Sequence, residues 1–246
     1  MRRRWANIIG MSNSGKVAIV TGASQGIGAE VVRRFCAAGY QVAAVSRSIK
    51  PSGDHDLLTV AGDIADPSTA ERLVTETLAR FGRVDTLVNN AGIFIAKPFV
   101  EYSSSDYERM IGVNLSGFFH ITQRVLASMI EQKNGHVVNI TASLADQPSL
   151  KLAATLAALT KGGLNHATQA LAIEYASRGV RVNAVAPGVI DTPMHPTERH
   201  EALAELHPVG RIGTVADIAS AVLFLEEATF VTGEILHVDG GRNVGS

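Results

Sequence analysis

The stretch from Thr21 to Gly28 reads Thr-Gly-Ala-Ser-Gln-Gly-Ile-Gly and directly follows a short apolar run, Val17 to Thr21. Helical spacing begins at once behind it: Ile27, Val31, Val32 and Phe35 mark one buried stripe, and Gly39 stops the helix. A strand that turns this sharply into a helix restricts what the chain can fold into. Gly22 permits the tight turn, Gly26 lets backbone approach a phosphate closely, and Gly28 lets helix and strand pack together. The helix start, with Ser24, Gln25 and Ile27 around it, then offers unpaired N–H groups to the pyrophosphate of a dinucleotide. Glycines alone also mark ordinary turns, so the rest of the chain decides.

Further apolar runs recur at Val42 to Ser46, Leu57 to Val60, Thr86 to Asn89, His136 to Ile140, Val180 to Ala186 and Ile235 to Val238, with helical segments between them. Strand and helix signals in alternation predict an α/β fold: one Rossmann-type, doubly wound parallel sheet of about seven strands with helices on both faces. With 246 residues, 46% of them hydrophobic, the chain can bury a full core as one domain. That domain is expected over residues 15–246. Residues 1–14, which contain a second start at Met11, read as a disordered extension without the apolar run of a secretory signal. A long helix from about Thr160 to Ser177 carries Leu164, Ala167, Leu171 and Tyr175 on one face, a stripe that serves equally as core or subunit contact. The Pro-rich stretch between Pro187 and Pro208 is irregular and predicts a mobile lid, about 190–210.

Net charge of −1 with scattered basic residues gives no footprint for nucleic acid or an anionic membrane, so a small molecule is the expected partner. The lone cysteine, Cys36, rules out an internal disulfide and any multi-cysteine zinc site; it fits the reducing cytoplasm.

The glycine spacing T-G-x-x-x-G-x-G resembles that of the short-chain dehydrogenase/reductase family, and further matches follow in the family's order. Asn89-Asn90-Ala91-Gly92, Val113-Asn114, Lys161-Gly162-Gly163-Leu164, Asn183 to Gly188 with Thr192, and Val238-Asp239-Gly240-Gly241 are similar to its successive motifs. The resemblance runs from about residue 15 to 242. It implies a nicotinamide cofactor held by the glycine turn, by Asn90, Ala91 and Gly92, by Lys161, and by Pro187, Gly188, Ile190 and Thr192 in the loop beside the nicotinamide. It also implies dimers or tetramers.

The end of the second strand bears on which dinucleotide. An NAD site places an acid there; this chain has Ser46 followed by Arg47, a hydroxyl and a guanidinium suited to a 2′-phosphate. NADP(H) is therefore favoured over NAD(H), although Gln25 stands where many NADP-type relatives carry a basic residue. Asp63, with Ile64 after it, resembles the family residue at the adenine edge, and reads equally well as a strand-end or capping aspartate.

In the family, hydride passes between nicotinamide and a carbonyl or alcohol carbon while a tyrosine four residues before the lysine exchanges the proton. Four residues before Lys161 stands Ala157, and no tyrosine occurs between Ser149 and Lys161. The serine position falls on Ala142, with Ser143 one residue displaced; a bulge in the slightly long loop could re-aim Ser143 at the substrate oxygen. Asn114, Ser143 and Lys161 are the catalytic set that survives. A missing general acid costs roughly 10² to 10⁴ in rate. Ser143, a water, Lys161 itself or His195 are the candidate proton sources. Two readings stay open: an oxidoreductase with an altered proton route, or a dinucleotide-binding sensor or partner subunit without turnover.

Overall fold

The computed structural model describes residues 15–150 and 152–245; the predicted extension over residues 1–14 lies outside them. Seven strands form one parallel sheet: β1 (Val17–Thr21), β2 (Gln41–Ser46), β3 (Leu57–Ala61), β4 (Thr86–Asn89), β5 (Gly135–Ile140), β6 (Val180–Pro187) and β7 (Ile235–Val238). Their spatial order is β3-β2-β1-β4-β5-β6-β7. The α/β reading and every predicted strand hold, with ends moved by at most a residue or so.

Side-chain alternation along the strands sorts the core into two layers. Ala18 and Val20 point to one face, where Val31 and Phe35 of α1 (Gly26–Ala37) meet residues C-terminal to position 217 such as Ile218, Val222 and Leu225. Ile19 points to the other, against Leu73 of α2 (Pro67–Phe81), met there by Ile121, Val125 and Met129 further on. Both faces are covered, as an all-parallel sheet requires. Helices α3 (Ser104–Ile111), α4 (Gly117–Gln132), α5 (Thr155–Tyr175), α6 (His200–Ala204) and α7 (Val215–Glu227) complete the layers. No helix among the described residues is long and apolar enough to cross a membrane.

Two expectations are corrected. The long helix starts at Thr155, ahead of the predicted Thr160, because Leu156, Ala157, Ala158 and Leu159 are good helix formers and Ala154 (φ −146°, ψ 38°) is the non-helical residue just before it. Its inward face is Leu156, Thr160, Leu164, Thr168 and Ala172, whereas Leu171 and Tyr175 are only half-buried. The stretch after Pro187 is less irregular than predicted: a 3-10 turn, Thr197–Arg199, leads into α6.

Candidate active site

From β1 the chain goes to β2 on one side and returns to β4 on the other, which opens a crevice over the ends of β1 and β4. The glycine turn forms its floor. Gly22 and Gly26 have φ of +67° and +57°, a region that side chains rarely enter. A Cβ on Gly28 would collide with the Gly22 carbonyl oxygen and the Asn90 amide, so the close packing predicted for Gly28 is real, although Gly28 does not itself face the crevice. Asn90 staples the turn: its Nδ2 donates to the carbonyls of Thr21 (2.9 Å) and Gly22 (3.1 Å). The backbone N–H groups of Asn90 and Ala91 both donate to Thr21 Oγ1 at 3.0 Å. Helix α1 starts behind an extended Gln25 with no side-chain cap and no acid in its first turn, leaving its N-terminal dipole free for an anion.

A cavity of about 690 Å³ runs along this crevice. Gly22, Ser24, Gln25, Gly26, Ile27, Asn90, Ala91 and Gly92 line its middle. Ser46, Arg47, Asp63 and Ile64, from the ends of β2 and β3, line one end. Ser46 Oγ is buried there without a partner, and the exposed Arg47 makes no hydrogen bond or ion pair among the described residues. A 2′-phosphate fits both groups. Asp63 accepts from the Ala65 N–H (3.0 Å) through Oδ1, so it shapes the turn and faces the cavity together; the cap of α2 is Asp66.

The other end is built by β5, α5 and the loop after β6. Lys161 lies on α5 with Nζ donating to the Ile140 carbonyl at 2.8 Å. Burial pushes its ammonium down to about 8. Ala157, one turn earlier, lines the cavity within an apolar cluster of Met110, Leu144 and Leu156, flanked by Phe94, Ala142 and Leu152. Among the described residues no tyrosine lines the cavity. Pro187, Gly188, Ile190 and Thr192 line it, and Thr192 packs over Gly26. His207 props this loop: its Nε2 accepts the Val189 N–H (3.0 Å) while Nδ1 donates to Leu203 (3.1 Å). Burial holds that imidazole below its ordinary value and so in the neutral form these bonds require. Met194, His195, Leu203 and Leu206 of the lid face the cavity, and His195 Nδ1 donates to the Ile190 carbonyl at 2.9 Å.

Besides Gly28, two predicted catalytic residues stay away from the cavity. Ser143 opens a 3-10 turn directly after the extended Ala142, which turns its side chain into the protein; Oγ is fully buried without a partner, while Thr141, Ala142 and Leu144 face the cavity. Asn114 sits in a π-helical turn, Gly112–Ser116, with its amide held by the Ile93 N–H (2.9 Å), the Ile93 carbonyl (3.1 Å) and Thr160 Oγ1 (3.2 Å). Its side chain therefore positions the wall after Gly92. Arg199 and Arg242, which the sequence did not single out, both line the cavity; the one available signal was that Arg242 directly follows Gly240-Gly241.

A fold with this turn, this crevice and a half-buried lysine beside it defines a class, and comparison with known proteins agrees. The family model described as enoyl-(acyl carrier protein) reductase matches residues 22–243. The chain belongs to the short-chain dehydrogenase/reductase family of nicotinamide-dependent oxidoreductases. It is 36% identical to the (2S)-[(R)-hydroxy(phenyl)methyl]succinyl-CoA dehydrogenase subunit BbsD of Thauera aromatica, over 95% of this chain and 99% of that one. Among solved structures it is similar to ElxO with NADP bound (TM-score 0.87, 29% identity, 94% and 99% of the two chains). It is also similar to the 3-ketoacyl-(acyl-carrier-protein) reductase of Brucella melitensis complexed with NADH (TM-score 0.88, 31% identity, 94% and 100%).

Proposed function

We propose that this protein interconverts a ketone or aldehyde and the corresponding alcohol with NADP(H), and that the Lys161 ammonium carries the proton a tyrosine carries elsewhere in the family. The observation behind this reading is half-buried Lys161, whose Nζ donates to the Ile140 carbonyl at 2.8 Å and faces the same cavity as the small side chain of Ala157. When bound, the dinucleotide supplies the hydride to the carbonyl carbon, or accepts it back. In reduction the carbonyl oxygen takes its proton from Lys161 Nζ; in oxidation the alcohol returns a proton to the neutral amine. Burial makes Nζ acidic enough for this exchange near neutral pH. The glycine turn and the α1 N-terminus hold the pyrophosphate, Lys161 also serves the ribose, and the apolar cluster around Ala157 excludes water.

Ser46 and Arg47 support NADP(H) over NAD(H), as does the NADP bound to ElxO; the NADH in the Brucella structure shows that the neighbours use both. We also propose a homo-oligomer, because Phe119 on α4 and Leu159 and Ile173 on α5 leave apolar groups exposed on long helices. Light scattering reads this as a multiple of the chain mass. The cytoplasm is the proposed location, with Cys36 as a free thiol.

NADPH and NADH are titrated separately, and nicotinamide absorbance is then followed over a panel of ketones, aldehydes and alcohols. NADPH is expected to bind at least about tenfold tighter than NADH, and Arg47→Ala to erase that difference by weakening NADPH alone. Equal affinities would sink the NADP(H) preference. A second reading is favoured by Ala157 and by the Thauera relative's description as a subunit: a dinucleotide-binding partner without turnover. It prevails if NADPH binds and no substrate turns over at any pH.

A further inference from the structure

Four cationic side chains line the cavity (Arg47, Lys161, Arg199 and Arg242) against a single acid, Asp63. Arg47 and Lys161 are accounted for by the dinucleotide. Arg242 is not. Only 4% exposed, it makes no side-chain hydrogen bond or ion pair among the described residues, and its Nη2 is fully buried without a partner. Asp239, the acid closest in sequence, uses Oδ1 to accept the Gly241 N–H (3.1 Å) and Oδ2 to accept the Asn243 N–H (2.7 Å). A guanidinium remains protonated even when burial lowers its pKa; the Asp239 charge is near enough to offset part of that burial, but its oxygens are spent on backbone N–H groups, so the protein holds a desolvated cation facing a cavity with no hydrogen-bonded anion of its own.

We infer that Arg242 binds a carboxylate on the substrate, so that the reacting carbonyl or alcohol belongs to an oxo or hydroxy acid. The inference rests on the oxidoreductase reading and names its substrate class. The position of Arg242 separates this anion from the dinucleotide's own. Arg47 follows β2, near one edge of the sheet; Arg242 follows β7, at the opposite edge, with β1 and its phosphate-binding turn between them. The 3-10 turn Arg242–Val244 packs against the turn Ser143–Ala145, directly beyond Thr141 and Ala142 on the wall that also carries Lys161's partner Ile140. Arg242 is thus at the substrate end. Planar, paired N–H donors match a carboxylate, which a neutral thioester or ester cannot replace. Phe94, Leu144 and Leu152 give the same end an apolar wall for the acid's carbon chain, and Arg199 brings a second cation from the lid.

The test uses the full chain with saturating NADPH and hexanoic acids carrying an oxo group at C2, C3, C4 or C5, each beside its methyl ester. Binding is read by NADPH fluorescence and turnover by absorbance. At least one acid is expected to bind about tenfold or more tighter than its ester. Arg242→Gln should remove that preference while leaving NADPH affinity and the thermal melt close to wild type; Arg242→Lys should restore part of it. Acids and esters that bind alike, or a preference that survives in Arg242→Gln, would overturn the inference. If NADPH does not bind, the oxidoreductase reading fails on its own, and the acid–ester comparison, read by calorimetry without dinucleotide, still reports on Arg242.

Discussion

Lys161 and Ala157 occupy successive turns of α5 and line the same cavity. Beside a tyrosine, a lysine needs only to be a fixed positive charge. Here its ammonium, pushed down to about 8 by burial, is itself a titrating acid. In the proposed mechanism, Nζ below that value carries the proton that carbonyl reduction consumes, and above it the neutral amine can only accept one. The rate of reduction should therefore fall as pH rises through about 8 while alcohol oxidation rises, and Lys161→Met should abolish both limbs. A pH-independent reduction rate would exclude Lys161 as the acid. Ala157→Tyr should raise turnover by roughly tenfold or more and move the profile away from that of Lys161, measured as kcat across pH. Local spelling made this pair legible: the Lys-Gly-Gly-Leu motif fixes the register, and counting back four residues finds the alanine. Ser143 was not legible, because whether a residue one step off register faces the cavity depends on the turn that follows the strand. Arg242 was missed for another reason. Its place directly after Gly240-Gly241 is a local signal, but that its guanidinium lacks a hydrogen-bonded partner shows only once the chain is folded.

Elements with unusual geometry show their cause in side chains that satisfy distant backbone. The π-helical turn Gly112–Ser116 points Asn114 inward, where Oδ1 accepts the Ile93 N–H at 2.9 Å and Nδ2 donates to the Ile93 carbonyl at 3.1 Å and to Thr160 at 3.2 Å. One side chain thereby ties α5 to the wall of the cavity. A π turn inside a helix is costly unless such contacts compensate for it. Asn114→Ala should leave the Ile93 N–H and carbonyl unpaired and cost roughly 1–3 kcal/mol in urea denaturation. Because Ile93 follows Gly92, dinucleotide affinity should fall as well. A variant with wild-type stability and binding would show that water replaces the amide at no cost. The sequence placed Asn114 in the site through its family motif alone. Its structural task is invisible there, since Asn114, Ile93 and Thr160 meet only once helices α3 to α5 are packed.

For the whole molecule, alternation of strand and helix predicted a parallel sheet covered on both faces, but not the order of its strands. Order comes from where each crossover lands, which no local pattern records. Pairing of β5 with β6 also creates a polar network near the starts of the strands, remote from the cavity. Buried His136 donates through Nδ1 to Glu226 Oε2 (2.7 Å), and its Nε2 accepts from Asn183 Nδ2 (3.0 Å). Tyr40 donates to Glu226 Oε1 at 3.1 Å, Lys16 approaches the same carboxylate at 3.9 Å, and the Arg181 guanidinium lies beside Nε2. This arrangement requires a neutral imidazole. Burial, aided by Arg181 and Lys16, outweighs the attraction of Glu226 and holds His136 below the ordinary value of 6.5. Burial opposes ionisation of Glu226 too, but the His136 hydrogen bond and the Lys16 charge keep its carboxyl below the ordinary 4.5. Between the depressed value of His136 and 6.5, the unfolded chain binds a proton that the folded chain refuses. Stability should thus be complete above about pH 6.5 and decline as pH falls through that window, with Glu226 adding a further loss below about pH 4.5. Thermal melts from about pH 7.5 to pH 5.5 should show Tm falling by on the order of 2–4 °C. His136→Gln, although less stable at pH 7.5, should give a visibly flatter profile over the same range. Parallel slopes for the two proteins would mean that the acid sensitivity originates elsewhere.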